Sequence, residues 1–489
     1  MPSGALNSVP HTSSVRSSLG EAVSWFGWLS LFLIVLPASL FFLPALAVLS
    51  ALTILASVWL MQTLVGVFNL RRITIPAFFY YLYFAVILLP GFFIFSDEVT
   101  PTRWRFLFGI ESVLITVPIG IAIANLLFRF NRKRIAIFFD SPVDVEAPGS
   151  SALRVYVILM ALGLIFVLIN ILETPVIPLF YIIRNPGEFL TAAVLREDAF
   201  KLLDSHFTYV YSVLRGTIFP ILILVAFGRY RLQHLRQWRW PFWISLAIGI
   251  FYGSLTLEKS PVAAIFGLLF LFYYLFRAGR VGRTASIFAP FLFICFPLAV
   301  VLLAYHGSEG GTLGAAIQAL GTRLFYSPAQ IVYAYFEVFP NVIPFQHGAT
   351  ITKLVAIFGW TSVDIPNAVG MYMNTGTDLS TITANGCFIG NLNADFGLPG
   401  VVLGGILAGF FMQAVSIHFC VRAKTVANLA AHTICMWAFG LLVTTGLPTT
   451  LLSGGVTFAL ILAPLLGRPG RTVLRLGADS LPVLADGTS

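Results

Sequence analysis

The chain has 489 residues, 58% of them hydrophobic and only 10% charged, with a mean hydropathy of +0.91. So few charges cannot cover a water-exposed surface, which excludes soluble enzymes, and so much apolar surface excludes a disordered tail. The net charge of +9 is gathered in short basic clusters between apolar runs, the pattern of cytoplasmic membrane loops rather than of a nucleic-acid-binding face.

Residues 1–23 are polar and Ser-rich and contain no apolar stretch closed by a small-residue cleavage site, so they read as a cytoplasmic tail rather than a signal peptide. Beyond them, about 20 apolar residues per crossing gives twelve segments in one transmembrane domain over 24–467. They begin near Trp25, Ala45, Ile73, Phe106, Val155, Phe207, Phe242, Pro261, Ala285, Leu398, Val426 and Leu447, and residues 468–489 form a second cytoplasmic tail. The charges test this topology independently. The inner side holds 20 of the 29 Lys and Arg with six acids, net +14; the outer side holds nine with 14 of the 20 acids, net −5. A missed or invented helix would invert the asymmetry from that point on, so twelve holds to within about one pair.

Two outer loops are long, at about 174–206 and about 305–397, and both contain aromatic and apolar stretches rather than linker composition. Function is expected there. On the inner side, Asp144 and Glu146 form a DxE among Pro, Gly and Ser that reads as a solvated linker. The four cysteines, Cys295, Cys387, Cys420 and Cys435, lack metal-ligand spacing, and there is no Walker A, GxGxxG, HExxH or GxSxG. No cofactor or metal is indicated, and no duplicated halves of the transporter kind are visible.

Several polar residues stand where polarity is costly. The apolar run after Arg215 is too short to span alone, which places this arginine roughly eight residues, or about 12 Å, inside the sixth span. At that depth it faces a polar cavity or an anion, unless it snorkels or pairs with an acid such as Glu173. Arg196 and Glu197 lie in Leu195–Phe200, a short amphipathic helix followed by Lys201, Asp204 and His206. The Glu258-Lys259-Ser260-Pro261 turn joins two short spans, so its charged pair stays near the bilayer, as an ion pair capping a hairpin or as part of a site. In the larger loop, Leu313–Phe325 forms a helix carrying Arg323, and Ser327-Pro328-Ala329-Gln330 is a start signal for a second helix, apolar almost all round and expected in or on the membrane. Arg323 just ahead of free helix N–H groups suits a phosphate. His347, Asn385, Asn391, Asn393 and Asp395 then supply imidazole, amides and carboxylate before the tenth span, types that hold sugar hydroxyls and also mark ordinary loops.

With its many spans, two large outer loops, Arg196 and Arg215, Glu258-Lys259-Ser260-Pro261, Thr322-Arg323-Leu324-Phe325 and Asn391-Leu392-Asn393-Ala394-Asp395-Phe396-Gly397, the chain resembles the bacterial oligosaccharide repeat-unit polymerases of the Wzy type, which build O-antigen, capsule and exopolysaccharide. The resemblance implies an all-α polytopic membrane protein, GT-C-like, of about twelve transmembrane helices with short helices in its two periplasmic loops. It implies block polymerisation of undecaprenyl-diphosphate-linked oligosaccharide at the periplasmic face of the inner membrane, with a chain-length regulator and a flippase as partners. Arg196, Arg215 and Arg323 match the arginines that handle the diphosphate, and Lys259 joins them. Fixed guanidinium groups stabilise a departing diphosphate without metal. His347, His206, Glu197 and Asp395 are the candidate bases, His347 slightly preferred because an imidazole titrates near neutral pH. An O-antigen ligase transferring polymer to lipid A core, a polysaccharide flippase or transporter, and a membrane scaffold are the alternatives.

Overall fold

The computed structural model describes residues 44–67, 69, 72–95, 100–144, 150–185, 191, 195, 205–257, 259–277, 314, 317–318, 321–349, 364–374 and 384–467. Every regular element among them is helical. Eight segments are long and apolar enough to cross a membrane: Val48–Val65, Ile75–Phe95, Pro101–Leu127, Ser151–Glu173, Tyr209–Leu232, Phe388–Cys420, Val426–Val443 and Leu447–Leu466. They make the chain a multi-span membrane protein, and each falls where hydropathy places a span. Two expected spans are shorter than that. Arg239–Ser254 has 16 residues, about 24 Å of helix, and the apolar part of the next helix is Ser260–Phe276. The spans expected near Trp25 and Ala285, and both tails, lie outside the described residues.

We number the helices α1 (Pro44–Val65), α2 (Ile75–Phe95), α3 (Pro101–Leu127), α4 (Lys133–Asp140), α5 (Ser150–Glu173), α6 (Pro178–Arg184), α7 (Tyr209–Leu232), α8 (Arg239–Ser254), α9 (Lys259–Phe276), α10 (Ser327–Val338), α11 (Ile365–Met373), α12 (Phe388–Cys420), α13 (Val426–Val443), α14 (Leu447–Leu451) and α15 (Val456–Leu466). Local chemistry sets the starts of α2 and α3. Thr74 and Thr100 are N-caps whose hydroxyls accept from Ala77 N–H and Arg103 N–H, and each is followed by a proline in the first turn, where the missing N–H costs nothing.

The central packing is α3 against α12, and small residues make it possible. A Cβ on Gly120 would lie 2.0 Å from the Ile406 carbonyl oxygen, and one on Gly409 would lie 2.1 Å from that of Val117. The two backbones therefore touch without intervening side chains, as expected when lipid tails supply no hydrophobic drive and close packing must hold helices together. α13 is almost wholly enclosed by its neighbours, whereas α1 and α5 turn Leu49, Leu52, Trp59, Val157, Ile165 and Leu168 outward, as lipid-facing helices do.

At the basic end of the bundle, two cations expected as loop charges are buried instead. The Arg229 guanidinium donates to Leu466 O at 2.6 Å and lies 4.5 Å over the Trp238 ring. Lys424, between α12 and α13, donates to Phe139 O and Ser141 O at 2.9 and 3.0 Å and so ties α4 to the bundle. Burial pushes its ammonium down to about 8 from its ordinary value of 10.5. The unfolded chain then binds more protons between those values, so this residue's cost is complete below about pH 8 and fades as pH rises toward 10.5. Lys424→Met removes that cost but leaves two carbonyls without a donor. The expected result is loss of this residue's pH dependence, so that the melting temperature of Lys424→Met falls relative to wild type as pH rises from about 8 toward 10.5.

Candidate functional site

Arg215 lies inside α7, as its sequence context requires, and the local helix is irregular there for a stated reason. Pro220 has no N–H to return to the carbonyl of Gly216, and Gly216 is a weak helix former, so Leu214–Ile218 widens into a π-turn closed by Phe219 N–H to Leu214 O. The guanidinium is half-buried, with Nη1 3.4 Å from Thr256 Oγ1 and Cζ 5.0 Å from the centroid of Tyr211. Thr256 belongs to the turn joining α8 to α9, and Leu179 N–H donates to Leu255 O of the same turn. Arg215 of α7, the turn between α8 and α9, and α6 of the first long loop thereby converge. Beside Arg215, and among the described residues, a Cβ on Gly216 would meet nothing within 4 Å and the buried Thr217 hydroxyl has no hydrogen-bond partner.

A second group forms around the start of α12. Asn391, Asn393 and Asp395 lie on helix, not loop, because α12 begins at Phe388, about ten residues before the expected span. The helix kinks at Gly397, whose φ of 65° and ψ of −156° suit glycine alone. Asn393 is fully buried and donates to Tyr335 O at 3.4 Å. Asp395 is also buried; its carboxylate accepts Gly348 N–H at 3.0 Å, while its main-chain oxygen accepts His347 N–H at 3.0 Å. The His347 side chain is exposed, on a left-handed backbone with φ of 49°. Asp395 thus clamps the His347 turn to α12. Asp395→Ala is expected to release that turn at a cost of about 2 kcal/mol, measurable as faster proteolysis between α10 and α11, whereas Asp395→Asn, which keeps an acceptor, loses less.

Between these groups runs a segment that hydropathy alone reads as the ordinary start of a span. The last span breaks into α14 and α15, separated by Leu452–Gly455, with Gly455 at φ of 97°. One side of the break meets the second group: a Cβ on Gly446 would lie 2.9 Å from Asn391 Nδ2. The other side meets the first: one on Gly455 would lie 2.0 Å from Thr217 Oγ1. The segment carries Thr444, Thr445, Thr449, Thr450 and Ser453, and Thr445 and Thr450 share a hydrogen bond of 3.1 Å. A run of threonines, serine and glycines inside an apolar span was the visible signal. It gives a hydroxyl-lined break between the Arg215 π-turn and Asn391, the kind of irregular backbone tolerated at membrane depth where it borders protein or a polar cavity.

The remaining residues stand apart. Arg323 is exposed on a π-turn, Thr322–Tyr326, which runs straight into α10 and packs on α2. Ser327 is therefore helix interior rather than a cap, and Arg323 does not precede free N–H groups; the continuing helix consumes them. α10 itself is buried by protein, with Ala329, Val332, Tyr335, Phe336 and Val338 enclosed, instead of lying on the membrane, because α3, α2 and α12 cover its apolar faces. Asn385 is exposed just before α12. His206 lies on the helix Ser205–Val213 that leads into α7, and Lys259 opens α9. Arg196 and Glu197 lie outside the described residues. Cys387 is buried and pushed up to about 12, so it remains a thiol and not a nucleophile. Among the described residues no group of three or more His, Cys, Asp or Glu is placed to hold a metal ion.

No family model, curated protein or solved structure matches the chain.

Proposed function

We propose that this protein joins undecaprenyl-diphosphate-linked oligosaccharide repeat units into long polysaccharide, at the periplasmic face of a bacterial inner membrane. The observation that carries the proposal is Arg215. A guanidinium held inside an apolar span, near a hydroxyl-lined helix break, suits an anion that approaches from the bilayer. A lipid diphosphate offers such an anion while its chain stays in the lipid.

In this reading an acceptor sugar hydroxyl attacks C1 of the donor sugar, the C1–O bond to the diphosphate breaks, and the hydroxyl proton passes to a base. Undecaprenyl diphosphate leaves with the bonding pair, and Arg215 stabilises that charge, with Lys259, Arg196 and Arg323 as further cations. Asn391 and the threonines of the break hold sugar hydroxyls, and Asn385 extends that surface. Buried Asn393 supports it from behind. His347 is the base this reading prefers over His206 and Glu197, since its imidazole is exposed and its turn is held by Asp395.

The test is deletion of the gene in its native host, with the length distribution of surface polysaccharide as readout. Loss of long chains with single units still exported supports polymerisation. Accumulation of long lipid-linked polymer would transfer the same site to a ligase.

A further inference from the structure

Glu111 is the carboxylate deepest in a described span, and the glycosyl transfer proposed above makes no use of it. It lies ten residues into α3, about 15 Å along the helix from Pro101. Its Oε1 is buried and, among the described residues, has no hydrogen-bond partner. Ser50 of α1, itself 2% exposed, lies beside the carboxyl and offers at most one donor. Tyr83 of α2 is close, but its hydroxyl is spent on Ile110 O at 2.6 Å; one turn away, Tyr80 donates to Ser57, which donates to Leu114 O.

Charge balance is the second observation. Among the described residues, the titratable groups packed around this part of α3 are Tyr80 and Tyr83 from α2, Cys387 before α12, and Tyr333 and Glu337 from α10, and none is a cation. Arg103 and Arg105, nearer the helix start, are directed elsewhere: Arg105 donates to Phe339 O at 2.6 Å, and Arg103 lies 5.8 Å over Tyr333. A carboxylate at this depth without counter-charge or a full set of donors is costly, and it is neutralised by whatever cation fits. A metal cation needs several oxygen ligands, and among the described residues no group of three or more His, Cys, Asp or Glu is placed to hold one here. A proton needs one.

We propose that Glu111 is a reversible proton-binding site in the membrane interior, formed where α1, α2 and α3 meet. Proton binding removes the isolated charge and turns the carboxyl into a donor.

The experiment uses the full chain in native membranes and dicyclohexylcarbodiimide, an apolar reagent that adds to protonated, membrane-buried carboxyls. Modified peptides are identified by mass spectrometry. The expected result is modification at Glu111, slowing about tenfold or more between about pH 6 and about pH 9, insensitive to replacing sodium with choline, and absent in Glu111→Gln. Three results would overturn the proposal: an unmodified Glu111 while other carboxyls react, a rate that does not change with pH, or protection by sodium, which would make the site one for a metal cation. Because the reading is made on the wild-type protein, it stands even if the variant fails to fold, and it is independent of whether the protein polymerises glycan.

Discussion

Arg215→Ala is expected to abolish long polysaccharide in the host while the protein remains at its normal level in the membrane. The chemistry gives the magnitude. Removing one fixed donor from a developing oxyanion costs about two to three orders of magnitude in rate, or about 3–4 kcal/mol of transition-state stabilisation. The guanidinium's contacts to Thr256 and to the Tyr211 ring are each of the kind worth about 1 kcal/mol or less, and the protein level read beside the polysaccharide separates lost chemistry from lost fold. Arg215→Lys keeps the charge but loses the planar fork that grips two phosphate oxygens, so partial chain length is expected. Thr256→Ala, which leaves the charge in place, should shorten chains little. Gel profiles of extracted polysaccharide, with immunoblots for protein level, read all three. Normal chains from Arg215→Ala would remove the diphosphate from this position.

Gly409→Leu is expected to prevent folding altogether. At 2.1 Å from the Val117 carbonyl, even the first carbon of a side chain cannot be accommodated, and the neighbour is backbone that cannot rotate away. α3 and α12 would have to separate along their whole contact, a disruption in the severe class above about 4 kcal/mol. Gly120→Leu should behave alike, from the opposite helix. Gly321→Ala is the control, since nothing lies within 4 Å of its Cβ. Size-exclusion profiles in detergent separate these outcomes: aggregation or absence for the first two, a wild-type peak for the third. A monodisperse Gly409→Leu would mean that α3 and α12 do not meet at these glycines.

Eight of the expected spans were legible in the sequence because about twenty apolar residues are a strong signal. The exceptions share one cause, tertiary contact overriding local pattern. Asn391, Asn393 and Asp395 interrupt the hydropathy of α12, so its start appeared at Leu398; burial against Tyr335 and the His347 turn satisfies those polar groups and lets the helix extend back to Phe388. Ser327-Pro328 has the residues of a helix start, yet the chain enters already helical from Thr322. Lys424 and Arg229 read as ordinary loop charges, and nothing local announces that they bind carbonyls across the bundle.

Of the site, Arg215 was legible because its depth follows from the length of the run around it. The convergence on it was not, since Thr256, Leu179 and Gly455 come from three other parts of the chain. Glu111 stands as a lone acid within an otherwise apolar run, with no sequence signal beyond that. Its isolation appears only when the neighbours on α1, α2 and α10 are in place.

The most direct test of polymerisation is to purify the protein, reconstitute it in lipid nanodiscs, and supply undecaprenyl-diphosphate-linked repeat units extracted from the host. A ladder of lipid-linked products spaced by one repeat unit, with release of undecaprenyl diphosphate for every bond formed and neither in Arg215→Ala, is the predicted result. Repeat units that stay single while the wild-type protein is folded and the Arg215 variant behaves identically would contradict it.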